Sequence, residues 1–161
     1  MTRRDRQQLE ADLQLYPHIP ELMREIAEQY GYDLPPPSWS REAPRMSGLN
    51  IVNDMTPRQA AQLMRDREYQ RLRKLKQAIE RLYERLDLRL RRVLELAYWQ
   101  GYSDKQVARI VAGSQEPVSV RTVQRWREEI LAAAYAEFVL SKIPPYEDRP
   151  TETAAEERQG A

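Results

Sequence analysis

The chain of 161 residues is long enough for one modest domain with extensions or two very small ones, and the absence of cysteine excludes disulfides and thiolate metal sites. With 26 Lys and Arg against 25 Asp and Glu the formal charge is +1, so the whole chain is not a polycation. One histidine, His18, and 5 glycines leave no P-loop, no Gly-rich phosphate cradle and no histidine-based catalytic centre, so a non-enzyme without catalytic residues, cofactor or metal is expected.

No apolar run reaches the ~20 residues of a membrane helix, and no signal-peptide core follows Thr2-Arg3-Arg4-Asp5-Arg6; a soluble intracellular protein is expected. The charge is unevenly spread. Residues 57–92 hold 12 Lys or Arg against 5 Asp or Glu, whereas residues 1–34 hold 4 against 7 and residues 141–161 hold 3 against 5. A basic middle suits a surface that tracks phosphates, although Arg is also the ordinary way to solvate a long helix.

In chain order, residues 1–32 read as a helical hairpin. Thr2 can cap a helix to about Leu15 with Leu9, Leu13 and Tyr16 on one side, and Pro17 breaks it. A second helix opens near Pro20 and carries Leu22, Ile26 and Tyr30 at four-residue steps before Gly31. Residues 33–55 hold Pro35, Pro36, Pro37 and Pro44 among serines and read as an extended linker whose anchors are Trp39 and Ile51-Val52.

Residues 56–140 read as the functional domain. Thr56-Pro57-Arg58-Gln59 is a sharp helix start, joining an N-cap Thr, a proline in the first turn and a capping-box Gln. No Gly or Pro interrupts the chain from there to about Leu86, so one long helix is expected. Leu72, Leu75, Ile79, Leu82 and Leu86 give it an apolar stripe that suits core packing better than a dimer seam, though a homodimer stays open. Asp87 then caps a helix that buries Leu90, Val93, Leu94, Ala97 and Tyr98 and stops at Gly101. Ser103 and Gln106 form a capping box for a short helix with Val107, Ala108, Ile110 and Val111 on one side, ending at Gly113.

Ser119 caps a third helix expected to bury Val120, Val123, Ile130 and Ala134. Arg121, Thr122, Gln124 and Arg125 then point away from the core. These are residue types that read base edges: Arg pairs bidentately with guanine, Gln with adenine, and Thr meets thymine or phosphate. Ser119, Arg127, Lys105, Arg71 and Lys74 are the expected contacts to the DNA backbone. A merely solvated helix face carries the same residue types, and it is the two preceding helices with their turns that favour a helix-turn-helix. Residues 141–161, with Pro144-Pro145 and then a polar Ala/Glu-rich stretch, read as a disordered tail.

The order of features resembles the RinA type of phage late-gene transcriptional regulators, relatives of the ArpU type and similar in their C-terminal half to sigma factor region 4. The resemblance rests on Asn53-Asp54-Met55-Thr56 before the long helix, Ala78-Ile79-Glu80-Arg81-Leu82-Tyr83, Leu94-Glu95-Leu96-Ala97-Tyr98-Trp99, and Arg121-Thr122-Val123-Gln124-Arg125-Trp126-Arg127. It implies an all-α protein with a C-terminal, sigma region 4-like helix-turn-helix that binds double-stranded DNA. The implied role is activation of a phage late operon with host RNA polymerase, in the cytoplasm of the bacterial host near the nucleoid. The turn from Ala112 to Val118 is about five residues longer than a compact sigma-like turn. Two other functions are compatible with the same elements: a small terminase-like protein that binds a packaging site, and a helical module that binds polymerase or sigma without reading DNA.

Overall fold

The computed structural model describes residues 1–31, 55–113 and 116–149, and among these every regular element is helical. In chain order they are α1 (Arg3–Leu15), a 3-10 turn (Tyr16–His18), α2 (Ile19–Gln29), α3 (Pro57–Arg65), α4 (Arg67–Arg85), α5 (Leu88–Leu94) continued by a π-helical turn (Glu95–Trp99), α6 (Asp104–Ala112) and α7 (Val120–Leu140). The anchors expected at Trp39, Ile51 and Val52 lie outside the described residues. None of the described helices is long and apolar enough to cross a membrane.

Most helix starts obey local capping chemistry. Thr2 with Asp5, Thr56 with Gln59, and Ser103 with Gln106 are reciprocal capping boxes, and the Asp87 and Ser119 side chains accept from the backbone N–H of Leu90 and Thr122. Each satisfies donors that a helix start would otherwise leave unpaired.

The chain divides into two compact units. One comprises Pro17–Arg73. In it α2 buries Ile19, Met23, Ile26 and Ala27, so the buried stripe runs through Met23 rather than the expected Leu22. The expected long helix is broken at Asp66, which leaves the helical region at ψ 123°. Its carboxylate caps the backbone N–H of Tyr69 at 2.9 Å and accepts from the Tyr30 hydroxyl at 2.7 Å. Asp66 therefore starts a new helix without any proline or glycine. The Gln70 amide donates to the carbonyl oxygen of Met64 at 2.7 Å, satisfying an acceptor at the end of α3.

The other unit comprises Met1–Tyr16 and Lys74–Ala161. Its core is built from Leu9 and Leu13 of α1, Leu75, Ala78, Ile79 and Leu82 of α4, Val93 and Leu94 of α5, Val107 of α6, and Val123, Ile130, Leu131, Ala134 and Phe138 of α7. The stripe from Leu72 to Leu86 is buried within the single chain. α7 packs against α1, α5 and α6, so α1 is part of the body that holds the candidate helix-turn-helix.

The π-helical turn changes the phase of the stripe after α5. The backbone N–H of Gln100 donates to the carbonyl oxygen of Glu95 at 2.9 Å, an i to i−5 bond. The wider turn buries Leu96 and Tyr98 and leaves Ala97, expected in the core, only half-buried.

The C-terminal segment also departs from expectation. Ile143 and Tyr146 are fully buried, the Tyr146 hydroxyl donates to the Asp12 carboxylate at 2.9 Å, and the Arg149 guanidinium donates to Asp5 at 2.8 Å. Residues 141–149 are thus a packed strap on α1, built on two apolar side chains that its prolines and polar neighbours conceal in the sequence. Residues 150–161 lie outside the described part.

Candidate nucleic-acid interface

α7 is 21 residues long, and its first turns are strongly sided. Val123 and Trp126 are buried, whereas Arg121, Gln124 and Arg125 are exposed. Arg121 and Arg125 stand four residues apart, one helical turn, and so share a face with Gln124 beside them. Among the described residues neither arginine forms an ion pair, so both guanidiniums are available to a ligand. Val120, expected in the core, is 40% exposed at the first turn; Trp126 occupies the buried position instead.

Thr122 is half-buried and its role is partly taken. Its backbone N–H donates to the Ser119 hydroxyl at 3.1 Å, and its own hydroxyl lies 2.8 Å from that of Ser119. The pair locks the start of α7 and leaves the Thr122 hydroxyl engaged.

α6 packs against α7, and a cleft of ≈ 350 Å³ runs between them, lined by Lys105 and Arg109 of α6 and by Pro117, Val118 and Val120 ahead of and within α7. Lys105 and Arg109 are exposed and four residues apart, so they extend a cationic edge along the cleft. Arg109 was absent from the expected set, although its i, i+4 relation to Lys105 was a usable signal. A second unanticipated cation is Arg89 at the start of α5. Its guanidinium sits 4.9 Å from the ring centre of Trp126, the residue after the exposed Arg125, and 3.7 Å from the Asp87 carboxylate, while the side chain stays 52% exposed.

Of the other expected backbone contacts, Arg127 and Lys74 are not brought together with this face. Arg127 is committed inward: it donates to Asp104 at 2.8 Å, to Glu10 at 2.9 Å and to the Tyr98 hydroxyl at 3.2 Å. It ties α7 to α1, α6 and the π-helical turn. Arg71 is half-buried and belongs to the Pro17–Arg73 unit. Lys74 is exposed in the same unit as α7, but α4 meets α7 through Glu137, at the end of α7 opposite to Arg121.

Part of the basic stretch 57–92 proves to be structural in the same way. Glu137 is buried and holds Arg81 at 2.9 Å and Arg85 at 2.7 Å. Lys76 pairs with Glu80 at 2.9 Å, and Arg91 donates to the carbonyl oxygens of Tyr83 and Glu84 at 2.7 Å each, closing the C-terminus of α4. Part of the local charge is therefore engaged by intramolecular partners.

Neither curated proteins nor solved structures yield a match to the chain. A family model does match, over residues 43–135, and its description is a protein of unknown function, DUF722. The match takes in α3 to α6 and the first three-quarters of α7, and the chain belongs to the DUF722 family.

Proposed function

We propose that the chain is a sequence-specific double-stranded DNA-binding protein that lays the first turns of α7 in the major groove. Arg121, Gln124 and Arg125 read base edges; Ser119, Lys105, Arg109 and Arg89 meet the phosphates on either side. The observation that carries this reading is the sidedness of α7: two exposed arginines one turn apart, without intramolecular partners, opposite buried Val123 and Trp126. Arg127, further along the same helix, is by contrast tied to Asp104 and Glu10.

The finer reading is a phage late-gene activator of the RinA/ArpU type that acts with host RNA polymerase. It is supported by the resemblance of the segments Leu94–Trp99 and Arg121–Arg127, which are the π-helical turn and the candidate reading helix. Gel-shift selection from fragments of the cognate genome, with random competitor DNA, tests it together with the mass of the protein by light scattering. One retained fragment beside a promoter, bound by a monomer or dimer, is the expected result. Retention of a packaging site by a ring, or of no fragment at all, would overturn it in favour of a terminase-like or a polymerase-binding protein respectively.

A further inference from the structure

Val120 opens α7 with its side chain in solvent, while Val123, Trp126 and Ile130 behind it are buried. It stands one residue before Arg121 and one helical turn before Gln124, so it borders the exposed face that carries them. Its apolar surface does not stand alone. Pro117 and Val118, ahead of the Ser119 cap, line the same ≈ 350 Å³ cleft from the α7 side, opposite Lys105 and Arg109 of α6. Exposed apolar residues scattered singly need no explanation, whereas a contiguous apolar strip bordered by charge marks a contact surface.

In the major groove such a strip has one target. Guanine, adenine and cytosine present donors and acceptors there, and thymine alone adds an apolar group, its 5-methyl. Arg121 and Arg125 suit guanine and Gln124 suits adenine, so none of the three is matched to that methyl. Thr122 stands one turn before buried Trp126, is itself half-buried, and has its hydroxyl held by Ser119. Val120 is therefore the apolar side chain that the exposed start of α7 offers. A β-branched side chain is nearly fixed at χ1 in a helix, so it loses little freedom on contact.

We propose that Val120 recognises thymine, its isopropyl group packing on the 5-methyl of a thymine no more than two base pairs from the adenine read by Gln124. The spacing follows from the about 5–6 Å between side chains one turn apart, set against a rise of about 3.4 Å per base pair. This contact rests on the reading of α7 as the helix in the groove and adds a base preference to it. Pro117 and Val118 continue the apolar surface beside the contact, with Lys105 and Arg109 across the cleft.

The test uses the full chain and the duplex site selected from its genome. Each thymine in turn is replaced by deoxyuridine, which removes the 5-methyl and keeps every donor and acceptor, and affinity is measured by fluorescence anisotropy. At one position the replacement weakens the unaltered chain by about three- to fivefold, the worth of one buried methyl. Val120→Ala, a change at an exposed first-turn position to the best helix former, loses a similar or larger factor on the thymine site, keeps its affinity for random DNA, and is indifferent to deoxyuridine at that position. A specific site at which no deoxyuridine weakens binding, or a Val120→Ala chain as sensitive to deoxyuridine as the unaltered one, would overturn the thymine contact alone. A chain that selects no DNA site would overturn the reading of α7 and this contact with it.

Discussion

The guanidinium of Arg127 and the carboxylate of Glu10 lie 2.9 Å apart although 117 positions separate them in sequence. The same guanidinium reaches Asp104 of α6 and Tyr98 of the π-helical turn, so one side chain ties α1, α6 and α7 together. Burial pushes the Tyr98 hydroxyl up to about 12. Burial alone would lower Arg127, but the Tyr98 hydrogen bond and the Asp104 carboxylate outweigh it and raise it further. Arg127 is thus charged and Tyr98 protonated across the physiological range. The placement of α7 against α1 and α6 is held by this node.

Removing Arg127 leaves Glu10 and Asp104, each only about a quarter exposed or less, without their counter-charge. Arg127→Ala is expected to lower the unfolding free energy by about 2–3 kcal/mol, below the range for fully buried pairs because the group is 26% exposed. Arg6→Ala breaks the bridge to Glu128, where both side chains are nearly half exposed, and should cost less than about 1 kcal/mol. Urea unfolding of the two variants checks the contrast; equal losses would contradict the assignment of Arg127 as the tie.

The strap at residues 141–149 gives a second expectation. Tyr146→Phe keeps the ring but deprives Asp12, itself buried, of a hydroxyl donor, and should cost about 1–3 kcal/mol. Truncation after Ser141 removes the burial of Ile143 and Tyr146 as well and should cost more. A truncated chain with unchanged thermal unfolding would show that the strap contributes nothing.

The acid limb of stability follows from Asp5 and Asp66. Burial raises the Asp5 carboxyl, but hydrogen bonds from Thr2 and the Arg149 guanidinium outweigh it and leave it below the usual carboxylate range. Asp66 is held low by the backbone N–H of Tyr69 and then by the Tyr30 hydroxyl. A carboxyl whose folded value lies below its unfolded one of about 3.9 binds fewer protons when folded, so its contribution is full above that value and is lost as pH falls through the folded one. Urea midpoints measured from pH 7 to pH 3 should fall below about pH 4, and Asp5→Asn should flatten that decline. An unchanged acid limb in Asp5→Asn would contradict the role of the Thr2–Asp5–Arg149 cluster.

Helix starts were legible in the sequence because a cap is decided within four residues: Thr2, Thr56, Asp87, Ser103 and Ser119 all act as expected. The break at Asp66 escaped notice because no glycine or proline marks it, yet Asp66 has the chemistry of an N-cap and Glu68 stands in the following first turn. The phase change after α5 depends on one wide turn, which periodicity cannot register; hence Leu96 in place of Ala97. The intramolecular partners of Arg127 escaped the sequence for a different reason. Glu10 and Asp104 are remote in sequence, and a count of charge within a window cannot tell an arginine with a distant carboxylate from one without. Glu137 had the same effect on Arg81 and Arg85. Arg121, Gln124 and Arg125 kept their expected exposure because it follows from helical spacing against Val123 and Trp126 alone.

The central claim rests on Arg121 and Arg125 reading bases, and the most direct measurement compares Arg121→Ala and Arg125→Ala with the unaltered chain on its selected DNA site and on random DNA, by fluorescence anisotropy at two salt concentrations. Each substitution should cost about 1–3 kcal/mol on the selected site, much less on random DNA, and leave the unfolding free energy within about 0.5 kcal/mol. Equal losses on both DNAs, or no loss on either, would contradict the assignment of α7 as the helix that reads the sequence.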